Sequence, residues 1–116
     1  MKGNPSDKLR IEHALGAISE IESFVSGKDY EAYNSDSMLK SACMHQLAII
    51  GDAFANINKK TKEEYSSVDW KGFIGLRIRV VHVYFDIDYR LVWEIIQNEL
   101  PELKNQLLEI YNSYLV

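Results

Sequence analysis

Apolar residues recur along this chain every three or four positions, and caps and glycines cut the recurrence into helices. Over residues 8–26 they fall at Leu9, Ile11, Ala14, Leu15, Ile18, Ile21 and Val25, a helical period. Ser6 or Asp7 suits the N-cap after a frayed start, and Gly27 the C-terminal stop. One helical turn is expected within 28–33. A second long helix over 37–58 carries the stripe Leu39, Ala42, Cys43, Gln46, Ile49, Ile50, Ala53, Phe54 and Ile57. Gly51 within it costs about 1 kcal/mol relative to Ala, which points to a close helix–helix approach. Thr61-Lys62-Glu63-Glu64 has capping-box spacing and predicts a short turn over 63–66. Asp69 caps a third helix expected over 70–84, with Gly72 and Gly75 letting it pack tightly. The valines and aromatics of 78–85 also suit a strand, but no second strand-like segment is evident to pair with them, so the helix is preferred. Asp86 or Asp88 caps a fourth helix over 89–98, and Pro101 opens a fifth that ends near Leu115. The pattern predicts an all-α fold, an antiparallel four-to-five-helix bundle forming a single domain over 1–116.

Composition narrows the class. With 116 residues, 47% of them apolar and 26% charged, the chain suits one soluble globular core. It has no basic segment followed by an apolar signal-type run. No stretch approaches the roughly 20 apolar residues that span a bilayer. A cytoplasmic protein without a membrane partner is expected. Cys43, the single cysteine, sits among Ala42, Met44 and Leu47 and reads as a buried thiol in a reducing compartment. Cys43 and His45 lie about 200° apart around a helix and cannot share one ion. The chain has no His-Glu-x-x-His, no Cys-x-x-Cys and no glycine-rich phosphate loop, so no metal or cofactor is expected.

Charge is uneven. The net charge is −4, yet residues 71–90 carry Lys71, Arg77, Arg79 and Arg90 against only Asp86 and Asp88. An anionic ligand would be drawn to this one positive segment. The same segment sets Arg77, His82 and Tyr84 among Val80, Val81, Val83 and Phe85, where local propensity and chemistry disagree. On an ideal helix Arg77 and His82 point about 140° apart. They converge if the helix ends near His82, or if a second copy supplies the other half. Spacing alone favours a solvated Arg77, a core His82 and a packed Tyr84. Asp52, beside Gly51, either holds an arginine such as Arg77 or faces solvent.

Taken in order, Trp70-x-x-Phe73-Ile74-Gly75, Arg77-x-x-x-x-His82-x-Tyr84, Phe85-Asp86-Ile87-Asp88 and Val92-Trp93 resemble the HepT-like family of the HEPN superfamily. Asp7-Lys8-Leu9, Ile50-Gly51-Asp52-Ala53 and Leu100-Pro101 extend the similarity over most of the chain. The resemblance implies a HEPN-type bundle, a homodimer, and a metal-independent endoribonuclease acting as the toxin of a toxin–antitoxin pair. In such proteins the arginine and histidine form the cleavage site at a two-fold interface. Carried over, Arg77 grips the phosphate and His82 moves the proton, while Tyr84 shapes the site and is the residue adenylylated by a nucleotidyltransferase antitoxin. The chemistry suits these residue types. A guanidinium stays charged and can hold two phosphate oxygens, and an imidazole titrates near cellular pH. Ile78 stands where the family usually has a polar residue, commonly Asn; Arg79 could supply a substitute charge. Ile78 also admits an alternative, a non-catalytic dimeric adaptor that binds a nucleotidyltransferase or a nucleotide.

Overall fold

The computed structural model describes residues 4–81 and 86–115. Among these, α1 (Pro5–Val25), α2 (Tyr30–Asn34), α3 (Ser37–Ala55), α4 (Lys59–Glu64), α5 (Trp70–Ile74), α6 (Leu76–Val80), α7 (Tyr89–Asn98) and α8 (Leu100–Ser113) follow one another. The fold is all-α, of HEPN type. α1, α3, α7 and α8 are the long helices expected of the bundle, and the four short helices lie in the connections between them.

The caps explain the boundaries. Pro5 occupies the first turn of α1, and the Asn4 carboxamide accepts the Ser6 amide at 2.8 Å, so Asn4 takes the capping role expected of Ser6 or Asp7. Asp29, Asp36, Asp69 and Asp88 each accept an amide three residues on, opening α2, α3, α5 and α7. Gly27 ends the α1 segment at φ 73°, in the left-handed region that favours glycine.

Asp7 is buried instead of capping its own helix. Its carboxylate accepts the Thr61 hydroxyl at 2.6 Å and the Asn58 amide at 3.1 Å, so α1 caps the start of α4 from across the molecule. Thr61 accordingly sits inside α4, and the capping box expected to begin there does not form. A long-range carboxylate supplies the acceptor that local spacing had assigned to Thr61.

The core joins Ile11, Ile18 and Ile21 of α1, Leu47, Ile50 and Phe54 of α3, Trp70 and Phe73 of α5, Ile95 of α7, and Leu103, Leu107 and Ile110 of α8. Phe54 meets the edge of Trp70 with ring centroids 4.8 Å apart. The Trp70 indole donates to the carbonyls of Tyr65 and Lys62, which fixes α5 on the α4 connection. Gly51 lets α3 meet α5 closely, since a Cβ there would lie 2.6 Å from the Phe73 carbonyl oxygen. Cys43 is fully buried, as its neighbours indicated. None of the described helices is long and apolar enough to cross a membrane.

The long third helix expected over 70–84 is the main departure. It breaks at Gly75, which ends α5 and opens α6 with φ −90° and ψ 20°. The second piece stops at Val80, because Val81 is extended at φ −93° and ψ 123°. Adjacent β-branched Val80 and Val81 are poor helix formers, and an extended partner is at hand. Val81 forms an isolated antiparallel bridge with Ile87, and the Asp88 amide donates to the Val80 carbonyl at 2.6 Å. No strand forms among the described residues, and the extended contact is this one isolated bridge.

Candidate active site

The Arg77 segment is held from below and from one side. Leu76 and Val80, one turn apart on α6, are buried in the core. Arg79 is clamped by Glu99, the single residue joining α7 to α8. Both guanidinium terminal nitrogens reach the carboxylate, at 2.8 and 3.1 Å, with each side chain about a third exposed. This hydrogen-bonded pairing raises the Arg79 pKa further above its ordinary value, against a smaller opposing effect of burial. A partly exposed bidentate pair of this kind contributes about 1 kcal/mol after solvent screening. The charge of Arg79 is thus paired with Glu99.

Arg77 is exposed and makes no ion pair among the described residues. Ile78 beside it is 87% exposed, an uncovered apolar side chain next to an exposed cation. His82 and Tyr84 lie outside the described residues. What the structure does establish is that the helix ends between Arg77 and His82, so the 140° separation of an unbroken helix does not govern this pair. Asp52 is exposed and makes no ion pair with Arg77 among the described residues.

The chain's return is pinned as well. The buried Tyr33 hydroxyl donates to the Tyr89 carbonyl at 3.0 Å, and its ring packs 4.9 Å from Trp93. Burial pushes the Tyr33 phenol well above its usual range, so it remains a donor. α2, α6 and the α7–α8 junction thus frame both ends of the 81–88 stretch.

Sequence reasoning missed two features. Glu99 lies twenty residues from Arg79 and has no local signature. Lys59, Lys62 and Lys71 line an open trough of about 650 Å³ together with Glu63, Asp69 and Trp70, so its charge is mixed. Only folding brings the lysines of α4 into one trough with Lys71.

The family model described as Ribonuclease HepT-like matches residues 14–110, from within α1 to the last turns of α8. This chain belongs to that family. It is 38% identical over 100 residues to "Putative RNase TTE0752" of Caldanaerobacter subterraneus, covering 86% of this chain and 89% of that protein. It is 33% identical over 99 residues to "Putative RNase MJ1380" of Methanocaldococcus jannaschii, covering 85% and 91% of the two chains. A third relative, "Probable ribonuclease HepT" of Thermococcus cleftensis, is 30% identical over 101 residues, covering 87% and 92%. No solved structure matches the chain.

Proposed function

We propose that this chain is a metal-independent endoribonuclease, with Arg77 binding the scissile phosphate and His82 transferring the proton. The observation that carries the reading is an exposed Arg77, without an ion pair among the described residues, on a helix that stops three residues later, just before His82 in the sequence. Family membership supplies the reaction class, and relatives named as ribonucleases support it.

In this reading a neutral imidazole takes the proton of the RNA 2′-hydroxyl, whose oxygen attacks the adjacent phosphorus. The bond to the 5′-oxygen then breaks, and that oxygen takes up a proton as it leaves. Arg77 stabilises the charge that gathers on the phosphate oxygens. A homodimer brings a second histidine to serve as the acid. The exposed Ile78, adjacent to the site, supports a contact between copies there. We further propose a single domain acting as the toxin of a toxin–antitoxin pair. Its nucleotidyltransferase partner would adenylylate Tyr84, adding bulk and negative charge where RNA binds.

The test is cleavage by the purified protein. Arg77→Ala and His82→Ala should each lower cleavage by about 10²–10⁴-fold while leaving the helical circular dichroism unchanged. Cleavage should survive a chelator and weaken with salt. The same uncovered Ile78 also suits the adaptor reading, which prevails if wild type and Ile78→Asn both leave diverse RNAs intact yet bind a nucleotidyltransferase tightly. Co-expression with that partner should raise the intact mass in steps of AMP, and Tyr84→Phe should abolish the increment.

A further inference from the structure

α6 has five residues, too few to hold a helix by its own hydrogen bonds, and its N-terminus has no side-chain cap. Its orientation must come from outside. Leu76 and Val80 form one buried edge. Around the helix axis Arg77 and Arg79 flank that edge, about 160° apart, on opposite sides. A five-residue cylinder resting on two side chains can roll, and any roll that moves Arg79 moves Arg77 by the same angle. The backbone holds the far end of α6 through the Val81–Ile87 bridge and the Asp88 amide on the Val80 carbonyl, and the side-chain restraint on that roll is the bidentate grip of Glu99 on Arg79 at 2.8 and 3.1 Å. Glu99 is itself well fixed. It closes α7, where its amide donates to the Ile95 carbonyl at 2.9 Å, and it immediately precedes α8.

We propose that Glu99 is a positioning residue: by clamping Arg79 it sets the rotation of α6, and so the direction in which Arg77 meets an RNA phosphate. This rests on the ribonuclease reading for what Arg77 does, but the mechanical part stands on the geometry of the pair. In this role Glu99 makes no contact of its own with RNA. Its effect passes through Arg79 and the helix backbone. Misaiming a catalytic group by about 1 Å costs on the order of 10²-fold in rate without weakening substrate capture in proportion.

The experiment is a double-mutant cycle on the full chain with a single RNA substrate. Glu99→Ala and Arg79→Ala should each lower kcat by about 10²-fold with KM changed less than twofold. The double variant should be no worse than either single one, because both remove the same clamp. Glu99→Gln, which keeps one acceptor, should fall between wild type and Glu99→Ala. Arg79→Ala leaves the α7–α8 junction untouched, so agreement between the two singles separates the clamp from damage to that junction. Additive losses would overturn the proposal. So would a rise in KM on Arg79→Ala paired with a fall on Glu99→Ala, which would make Arg79 a phosphate ligand restrained by its partner. A wild type that cleaves no RNA defeats the ribonuclease reading, and hydrogen exchange then decides the clamp alone. The Arg79 and Val81 amides should lose protection in Glu99→Ala, and protection equal to wild type would overturn it.

Discussion

At Gly51 a single missing carbon sets how closely two helices approach. A Cβ there would sit 2.6 Å from the Phe73 carbonyl oxygen, a backbone atom that moves only if α5 moves. Gly51→Ala should therefore destabilise by about 1–3 kcal/mol through overpacking. Gly16, inside α1 with nothing within 4 Å of its would-be Cβ, should show the opposite sign. Gly16→Ala should stabilise by about 0.5–1 kcal/mol from helix propensity. Urea denaturation midpoints of the two variants check the pair. Cys43 gives a prediction in pH. Burial pushes its thiol from 9.0 up to about 11, so between those values the folded chain holds a proton that the unfolded chain has lost. Stability should fall as pH rises through that window, Tyr33 adding to the loss in the same direction because its phenol is also raised. Cys43→Ala should flatten that part of the curve in thermal melts. Among candidate site residues, Arg77 stands out in the sequence because an arginine inside an apolar run is conspicuous. The Arg79–Glu99 pair could not, since its partners meet only when the α7–α8 junction folds back beside α6.

Between elements, the buried Asp7 carboxylate does what no local motif foretold. It ties the first turn of α1 to the start of α4 by accepting the Thr61 hydroxyl and the Asn58 amide. Thr61→Val keeps the side-chain shape and removes the donor, leaving a buried charge short of a partner. The expected loss is about 1.5–3 kcal/mol, read from the denaturation midpoint, with the greatest gain in amide exchange over α4. The elements that the sequence pattern placed well are those with local determinants. α7 was expected over 89–98 behind an aspartate cap and occupies Tyr89–Asn98; α1 stops before Gly27 as its backbone freedom suggested. The poorly placed ones depend on distant contacts. The expected single helix after Asp69 divides because Gly75 permits a joint, and Val81 gains an extended partner in Ile87. Periodicity alone could not weigh that bridge against further helical turns, because the bridge exists only after the chain has returned.

The whole molecule is thin for its length, 48 × 31 × 19 Å. Its least dimension is about two helix diameters, so most helices have one side on the core and the other on solvent. That geometry leaves Ile78 87% exposed beside Arg77, and Ile74 42% exposed, while Phe73 is buried against Phe54 of α3. An exposed isoleucine next to an arginine suits a two-fold contact, where a residue near the axis meets its own copy and a closed dimer covers both copies at once. We expect light scattering at micromolar concentration to give twice the chain mass. Ile78→Glu should return it to a monomer, because each protomer would bring a carboxylate to the same desolvated place. If the cleavage site needs two copies, that variant should also lose RNA cleavage steeply as the protein is diluted, with its circular dichroism unchanged. Ile78→Asn separates the two roles of the position, since a neutral amide can be accommodated in a contact and can donate to a phosphate. It should keep the dimer and raise cleavage. A monomeric wild type that cleaves RNA at a rate per chain independent of concentration would remove the dimer from the account and place the whole site within one copy.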